Sequence, residues 1–189
     1  MDRAYDQVWL IEDDVFVPAV DTLVHIDRRY PDADLLSASN LVNPCGELRS
    51  WYWWRHVPAT VFQPPWAKSM MCAVRFSRQL LDATATAMLQ QSESLHAGRL
   101  RLRLHARYPF VYRRRALPFI EYFFHTLALH QGLSVVAAEE LGGIVWRHEW
   151  TAEEIGENGL FHPVKQPARH AVLRAQLSGR SGSADESDK

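Results

Sequence analysis

The sequence predicts an α/β domain, and three consecutive stretches near its start indicate this class. Residues 8–11 form a short apolar run that is typical of a buried parallel strand. Pro18 opens a helical pattern, and Pro31 ends it. The apolar residues 35–38 then predict a second strand. The order strand, helix, strand is typical of layered α/β folds.

The composition is that of one globular domain, with 189 residues, 47% hydrophobic residues and a net charge of -1. Because this charge is close to zero, nothing in it favours nucleic acid as a partner. No apolar run approaches the roughly 20 residues that cross a bilayer, so membrane association is expected only through segments outside this chain. Cys45 and Cys72 have no zinc-site spacing, and two buried free thiols are favoured over a disulfide.

The middle of the chain predicts a long connection followed by a strand and a helix. Residues 40–68 contain Pro, Gly and Asn throughout and read as irregular. Residues 70–76 predict a strand, and Ser77 is a candidate N-cap of the helix after it. The Arg-rich residues 95–115 fit either a strand or a continuation of that helix, and their simplest interpretation is a solvated basic face.

The last third predicts a buried helix, a strand and a disordered end. Residues 119–128 are dense in aromatic residues, and the helix should end near Gly132. Residues 133–138 predict a strand. Residues 178–189 are rich in Ser, Gly, Asp and Glu, so they are expected to be a disordered tail.

Three adjacent carboxylates, Glu12, Asp13 and Asp14, end the first predicted strand. Alternation along a strand sends Glu12 and Asp14 to one side and Asp13 to the other. Hard oxygen ligands of this kind suit Mg²⁺ or Mn²⁺, which take further ligands from substrate phosphates. The alternative is a solvated acidic loop in which Asp14 caps a helix.

Residues 8–15 also resemble the first strand of a bacterial response-regulator receiver, in which paired acids bind Mg²⁺. That family needs a phospho-accepting Asp at the end of a later strand. The second predicted strand ends in Ser37, Ala38, Ser39 and Asn40, with no Asp there. The receiver interpretation is therefore rejected.

Four stretches in order resemble GT-A-type glycosyltransferases: the apolar run with Glu-Asp-Asp-Val at residues 8–15, then residues 69–78, 119–124 and 160–165. Together they span about residues 5–166. The resemblance implies a mixed sheet with flanking helices, similar to the C-terminal part of a GT-A domain and truncated at its N-terminus. It assigns residues 1–177 to this partial domain. The implied function is metal-dependent sugar transfer from a nucleotide-sugar donor to an acceptor hydroxyl, with inversion favoured.

The resemblance also implies roles for five residues. Asp14, Glu12 and His162 would bind Mn²⁺ or Mg²⁺, Asp13 would contact the ribose of the donor, and Lys165 would neutralise the departing diphosphate. Taken alone, His162 is an ordinary loop histidine that precedes a proline. Its place in the His-Pro-Val-Lys segment is what favours a metal ligand.

Glu121 is the candidate catalytic base, because a carboxylate among aromatic residues has a raised pKa and can accept a proton from an acceptor hydroxyl. The alternative is a buried Glu paired with an Arg of residues 113–115. Glu47 and Glu149 are weaker candidates, since each lies in a segment that reads as exposed.

Four tryptophans of the long connection are candidates for stacking on a carbohydrate or glycoconjugate acceptor: Trp51, Trp53, Trp54 and Trp66. Core packing is the alternative and is expected to account for at least two of them. A second function therefore stays open, in which an inactive, truncated domain binds carbohydrate or a protein partner through this Trp-rich surface. The sequence indicates no cellular compartment.

Overall fold

The computed structural model describes residues 5–57, 62–97 and 119–184. In chain order its elements are β1 (Gln7–Ile11), α1 (Thr22–Arg29), β2 (Leu35–Ser37), β3 (Leu41–Asn43), a 3-10 helix (Tyr52–His56), β4 (Trp66–Lys68), β5 (Ala73–Ser77), α2 (Arg78–Ala97), α3 (Ile120–His130), β6 (Val135–Ala137), a short 3-10 turn (Glu139–Leu141), β7 (Gly143–Ile144), β8 (Phe161–His162) and α4 (Pro167–Ala184).

A four-stranded mixed sheet in the order β1-β5-β2-β6 is the centre of the fold. Strand β5 is antiparallel to both β1 and β2, whereas β2 and β6 run parallel. Helices α2 and α3 pack on one face of this sheet and α1 on the other, because residues of β5 alternate between two apolar clusters. The predicted α/β class and mixed sheet are confirmed.

The prediction that residues 8–11 form a buried parallel strand is wrong in two respects. Strand β1 is antiparallel to its neighbour β5 and lies at the edge of the sheet. Its Trp9 and Ile11 side chains pack towards α1, while Val8 and Leu10 are 41% and 43% exposed. When every residue of a strand is apolar, the sequence does not show whether other elements cover one face of the strand or both.

Helix α1 begins at Thr22, four residues after the predicted start at Pro18. The residues before it form a turn instead, in which the Thr22 amide donates to the Ala19 carbonyl at 3.3 Å and the Ala19 amide donates to Thr22 Oγ1 at 3.2 Å. The predicted end before Pro31 and the predicted strand after it are confirmed.

The connection at residues 40–68 is more regular than predicted. Strands β3 and β4 pair antiparallel across its two ends, with Asn43 opposite Trp66. The predicted cap of α2 is confirmed, because the Leu80 amide donates to Ser77 Oγ at 3.2 Å. Residues 98–115 of the Arg-rich segment lie outside the described residues.

The predictions for the last third are confirmed for α3 and β6 and differ at the C-terminus. Gly132 has a φ of 66°, a left-handed conformation that ends α3 as predicted. Helix α4 is anchored by Leu173 and Leu177 and continues to Ala184, past residue 178 where the tail is predicted to begin. Of the helices described, none is long and apolar enough to cross a membrane. Both cysteines are free, and Cys45 is exposed rather than buried.

An ion pair between a buried arginine and a partly exposed aspartate fastens α1 to the sheet. Arg75 on β5 is fully buried, and its Nη1 donates to Asp27 Oδ1 on α1 at 2.7 Å. Trp9 Nε1 donates to the same oxygen at 3.1 Å, and Arg75 Nη2 donates to the Tyr30 carbonyl. Removing one member of such a pair leaves the other charge buried without compensation.

We expect Asp27→Ala to lower the free energy of unfolding by about 3 kcal/mol, because it leaves the buried Arg75 without a counter-charge. The double variant Asp27→Ala/Arg75→Met should lose less than the single variant, since no buried charge remains. Urea denaturation followed by circular dichroism measures both. Equal stability of the single variant and the wild type would contradict this role of the pair.

His125 of α3 is a second buried polar group of the core. Its side chain is fully buried, and its Nε2 lies 2.9 Å from Ser37 Oγ on β2. Burial lowers the pKa of His125 to about 4. The unfolded chain therefore binds a proton at this residue at a higher pH than the folded chain does.

The free energy of unfolding should accordingly fall as pH drops from about 6.5 to about 4, by up to about 3 kcal/mol from this residue. His125→Gln keeps an amide near Ser37 but does not titrate, so its stability should depend less on pH in this range. Urea unfolding of both proteins at several pH values measures the difference. Parallel stability profiles would contradict the prediction.

Candidate functional site

The acidic triplet lies in a tight turn directly after β1. The Glu12 amide donates to the Cys72 carbonyl at 2.8 Å, and the Val15 amide donates back to the Glu12 carbonyl at 3.1 Å. Glu12 and Asp13 are exposed, and Asp14 is partly buried. The expected alternation of Glu12, Asp13 and Asp14 between two sides of a strand therefore does not apply, because β1 ends at Ile11 and a turn follows.

A distant segment, residues 161–164, is fastened to this turn. The Phe16 and Phe161 backbones exchange hydrogen bonds of 2.8 and 3.1 Å, and the Val164 amide donates to the Asp14 carbonyl at 2.7 Å. These bonds bring His162 to the acidic turn, with its Nε2 3.4 Å from Asp14 Oδ1. Two residues separated by almost the whole chain therefore face each other at the end of β1.

The orientation of the His162 ring is set by the β7–β8 pair. His162 Nδ1 lies 2.7 Å from the Val145 carbonyl, which can only accept, so Nδ1 carries the proton and Nε2 points to Asp14. A side chain at Gly143 would meet the Leu160 carbonyl at 2.5 Å, so glycine permits this close strand approach. A backbone carbonyl that orients an imidazole in this way is a common support of metal-binding histidines.

Cys72 completes the cluster, and sequence reasoning did not identify it as a site residue. One ligand atom each of Glu12, Cys72 and His162 lies within 4.8 Å of the other two. The thiol is half-buried beside the Glu12 carboxylate. Burial, with Glu12 and Asp14 nearby, raises the pKa of Cys72 to about 12. Carboxylate, imidazole and sulfur donors together form a plausible ligand set for a divalent cation.

Glu121, the candidate base, lies in the first turn of α3, close enough to Glu12 for their charges to interact. Partial burial raises the pKa of its carboxyl group, the neighbouring Glu12 raises it further, and Lys68 opposes the shift. The nearby Lys68 has a pKa lowered by burial, and its Nζ lies 4.5 Å from the centroid of the Trp51 ring. The alternative partners at residues 113–115 lie outside the described residues.

The four candidate stacking tryptophans divide into two pairs. Trp54 and Trp66 are only 2% and 5% exposed and pack in the core, so they present no free ring face. Trp51 is half-buried against Phe119, and Trp53 is 40% exposed and stacks on the same phenylalanine at 4.6 Å. The expectation that core packing accounts for two of the four is confirmed.

An open groove of about 640 Å³ begins at Asp14 and His162. It is lined by Asp14, Trp146, Arg147, His148, Glu149, His162, Pro163 and Lys165. Lys165 therefore lines the same groove as Asp14 and His162, and so does Glu149, the weaker base candidate, which is exposed. Glu47 binds Asn43 through its backbone instead. A groove that joins two carboxylates to two cationic side chains suits a phosphorylated ligand held partly by a cation.

Comparison with known proteins adds no family to this picture. No family model matches the chain, and neither a curated protein nor a solved structure gives a significant match.

The residues that sequence reasoning missed are those placed by strand pairing. The antiparallel register pairs Ile11, the last residue of β1, with Ala73, the first residue of β5. Glu12 follows β1 and Cys72 precedes β5, so these two residues lie opposite each other. The parallel assignment of β1 concealed this neighbour. Arg147 belongs to no recognisable sequence pattern. It lines the groove because the loop after β7 places it there.

The two thiols should react at very different rates with iodoacetamide at pH 7.5. Cys45 is exposed, whereas Cys72 is half-buried with a pKa raised to about 12, so almost none of it is thiolate. Peptide mass spectrometry over time should find Cys45 alkylated first and Cys72 slowly. Similar rates for both, in protein shown to be folded by circular dichroism, would contradict the described environment of Cys72.

Proposed function

We propose that this chain is a metal-dependent glycosyltransferase domain that moves a sugar from a nucleotide-sugar donor to an acceptor hydroxyl. The observation that supports it most is the meeting of Asp14 and His162, whose side chains approach to 3.4 Å beside Glu12. The resemblance to the C-terminal part of a GT-A domain assigns a metal to these same three residues.

A bound Mn²⁺ or Mg²⁺ would supply Lewis-acid chemistry to the diphosphate of the donor. Glu12, Asp14 and His162 would bind it, and their oxygen and nitrogen donors are suited to such a cation. Lys165 would neutralise the diphosphate as it departs, since it lines the groove beside Asp14. Asp13, exposed at the tip of the turn, is assigned to the donor ribose.

Glu121 would take the proton of the acceptor hydroxyl as that oxygen attacks the anomeric carbon, with inversion of configuration. Its raised pKa supports this role, because a base is most effective when its pKa approaches the working pH. Lys68 favours the ionised form of Glu121, which is the form that accepts a proton. Trp51 and Trp53 would present their rings to the acceptor, since both are partly accessible.

A test is calorimetry of the folded chain with MnCl₂ and a panel of nucleotide sugars. Asp14→Asn should weaken Mn²⁺ binding by at least the ~10- to 100-fold that loss of a supporting residue costs. Asp32→Asn is a matched control, because Asp32 is exposed in the turn before β2. Mn²⁺ binding that is absent in the wild type, or unchanged in Asp14→Asn, would contradict the metal site.

Glu121→Gln separates chemistry from binding. It should leave Mn²⁺ and donor affinity unchanged and lower the rate of sugar transfer by about 10²- to 10⁴-fold, as expected for loss of a general base. Transfer is measured by release of nucleoside diphosphate in the presence of an acceptor. An unchanged rate would remove Glu121 from this role.

The exposed aromatic residues support a second candidate, an inactive domain that binds carbohydrate or a protein partner. Tyr52 and Trp53 are 63% and 40% exposed beside each other on the 3-10 helix. In that case oligosaccharides would quench tryptophan fluorescence without any metal or nucleotide, and Trp53→Ala would abolish the quenching. Quenching that requires Mn²⁺ and donor favours the transferase.

A further inference from the structure

The cluster at the end of β1 contains one donor that the resemblance does not provide. The Cys72 sulfur, a Glu12 oxygen and a His162 nitrogen all lie within 4.8 Å of one another. Two ligands of one tetrahedral zinc-like ion, each about 2.0–2.3 Å from it, stand about 3.3–3.8 Å apart. Side-chain movements on the order of 1 Å would therefore bring all three onto one cation.

His162 supplies an independent sign that a cation belongs here. Its side chain is only 9% exposed, and its Nδ1 proton is already directed to the Val145 carbonyl. Its Nε2 lies 3.4 Å from Asp14 Oδ1, so the ring presents that nitrogen to the carboxylate. A buried imidazole that is oriented through its other ring nitrogen is typical of metal-binding histidines.

We propose that Cys72 is a direct ligand of the cation held by Glu12, Asp14 and His162, so that the site prefers borderline and thiophilic divalent cations to Mg²⁺. This inference rests on the proposed metal site and specifies which cations it takes. Sulfur ligands select such cations, whereas an all-oxygen site suits Mg²⁺.

Coordination replaces one bond of the thiol by another. Cys72 would bind the cation as a thiolate. Its S–H bond would break, the proton would leave to solvent, and the electron pair left on sulfur would form the bond to the metal. A dication would favour this deprotonation, because a coordinating thiol loses its proton.

The test is titration of the full chain with Co²⁺, which reports ligand type by absorption. Wild type should show visible d–d bands together with a near-ultraviolet thiolate-to-cobalt charge-transfer band. Cys72→Ser should lose the charge-transfer band and keep d–d bands, while Cys45→Ser should keep both, because Cys45 is exposed and lies in a different loop. Mg²⁺ should displace Co²⁺ from Cys72→Ser at lower concentrations than from wild type.

The outcomes separate this inference from the proposed function. Co²⁺ binding that depends on Asp14 but shows no charge-transfer band overturns the role of Cys72 and leaves the metal site intact. A failure of the wild type to bind Co²⁺ overturns both. A charge-transfer band that Cys45→Ser abolishes also overturns the assignment to Cys72.

A measurement on the unaltered protein guards against a Cys72→Ser variant that does not fold. Over a reaction time long enough for Cys72 of the metal-free protein to be alkylated, Zn²⁺ or Cd²⁺ should protect Cys72 from a small reagent, while Mg²⁺ at the same concentration should not. Alkylation of Cys72 that Zn²⁺ and Cd²⁺ leave unchanged would overturn the proposal.

Discussion

Three backbone hydrogen bonds between the turn after β1 and the segment that begins at β8 hold the candidate site together. They join Phe16 to Phe161 in both directions and the Val164 amide to the Asp14 carbonyl. Because all three bonds join backbone groups, they set the spacing of the two segments without using any side-chain atom. As a consequence, His162 on one segment and Asp14 on the other face each other.

The sheet supports this contact from behind. The antiparallel register of β1 and β5 places Cys72 beside Glu12, and the buried Arg75 holds α1 against the same two strands. On the far side, Phe16 and Phe161 belong to the cluster that α4 covers with Leu173 and Leu177. The site therefore lies where two apolar clusters meet, with rigid strands on both sides, which favours a fixed ligand geometry.

Sequence reasoning identified the elements better than their pairing. Periodicity and cap residues located β2, α2 and α3, because local physical chemistry determines them, as the Ser77 cap of α2 shows. The edge position of β1 and the neighbourhood of Cys72 depend on which strands pair, and strand pairing is a non-local choice that a single sequence does not encode in its pattern. Likewise, aromatic composition alone did not distinguish the buried Trp54 from the accessible Trp53.

Glu12, Asp14 and His162 are proposed to bind one divalent cation, and an anomalous difference map tests this binding without any substrate. The map comes from a crystal soaked in MnCl₂, with data collected at the manganese absorption edge. We expect a single strong peak within about 2.3 Å of a carboxylate oxygen of Asp14 and of His162 Nε2. Soaked crystals without a peak at this position, or with manganese bound only elsewhere on the surface, would contradict it.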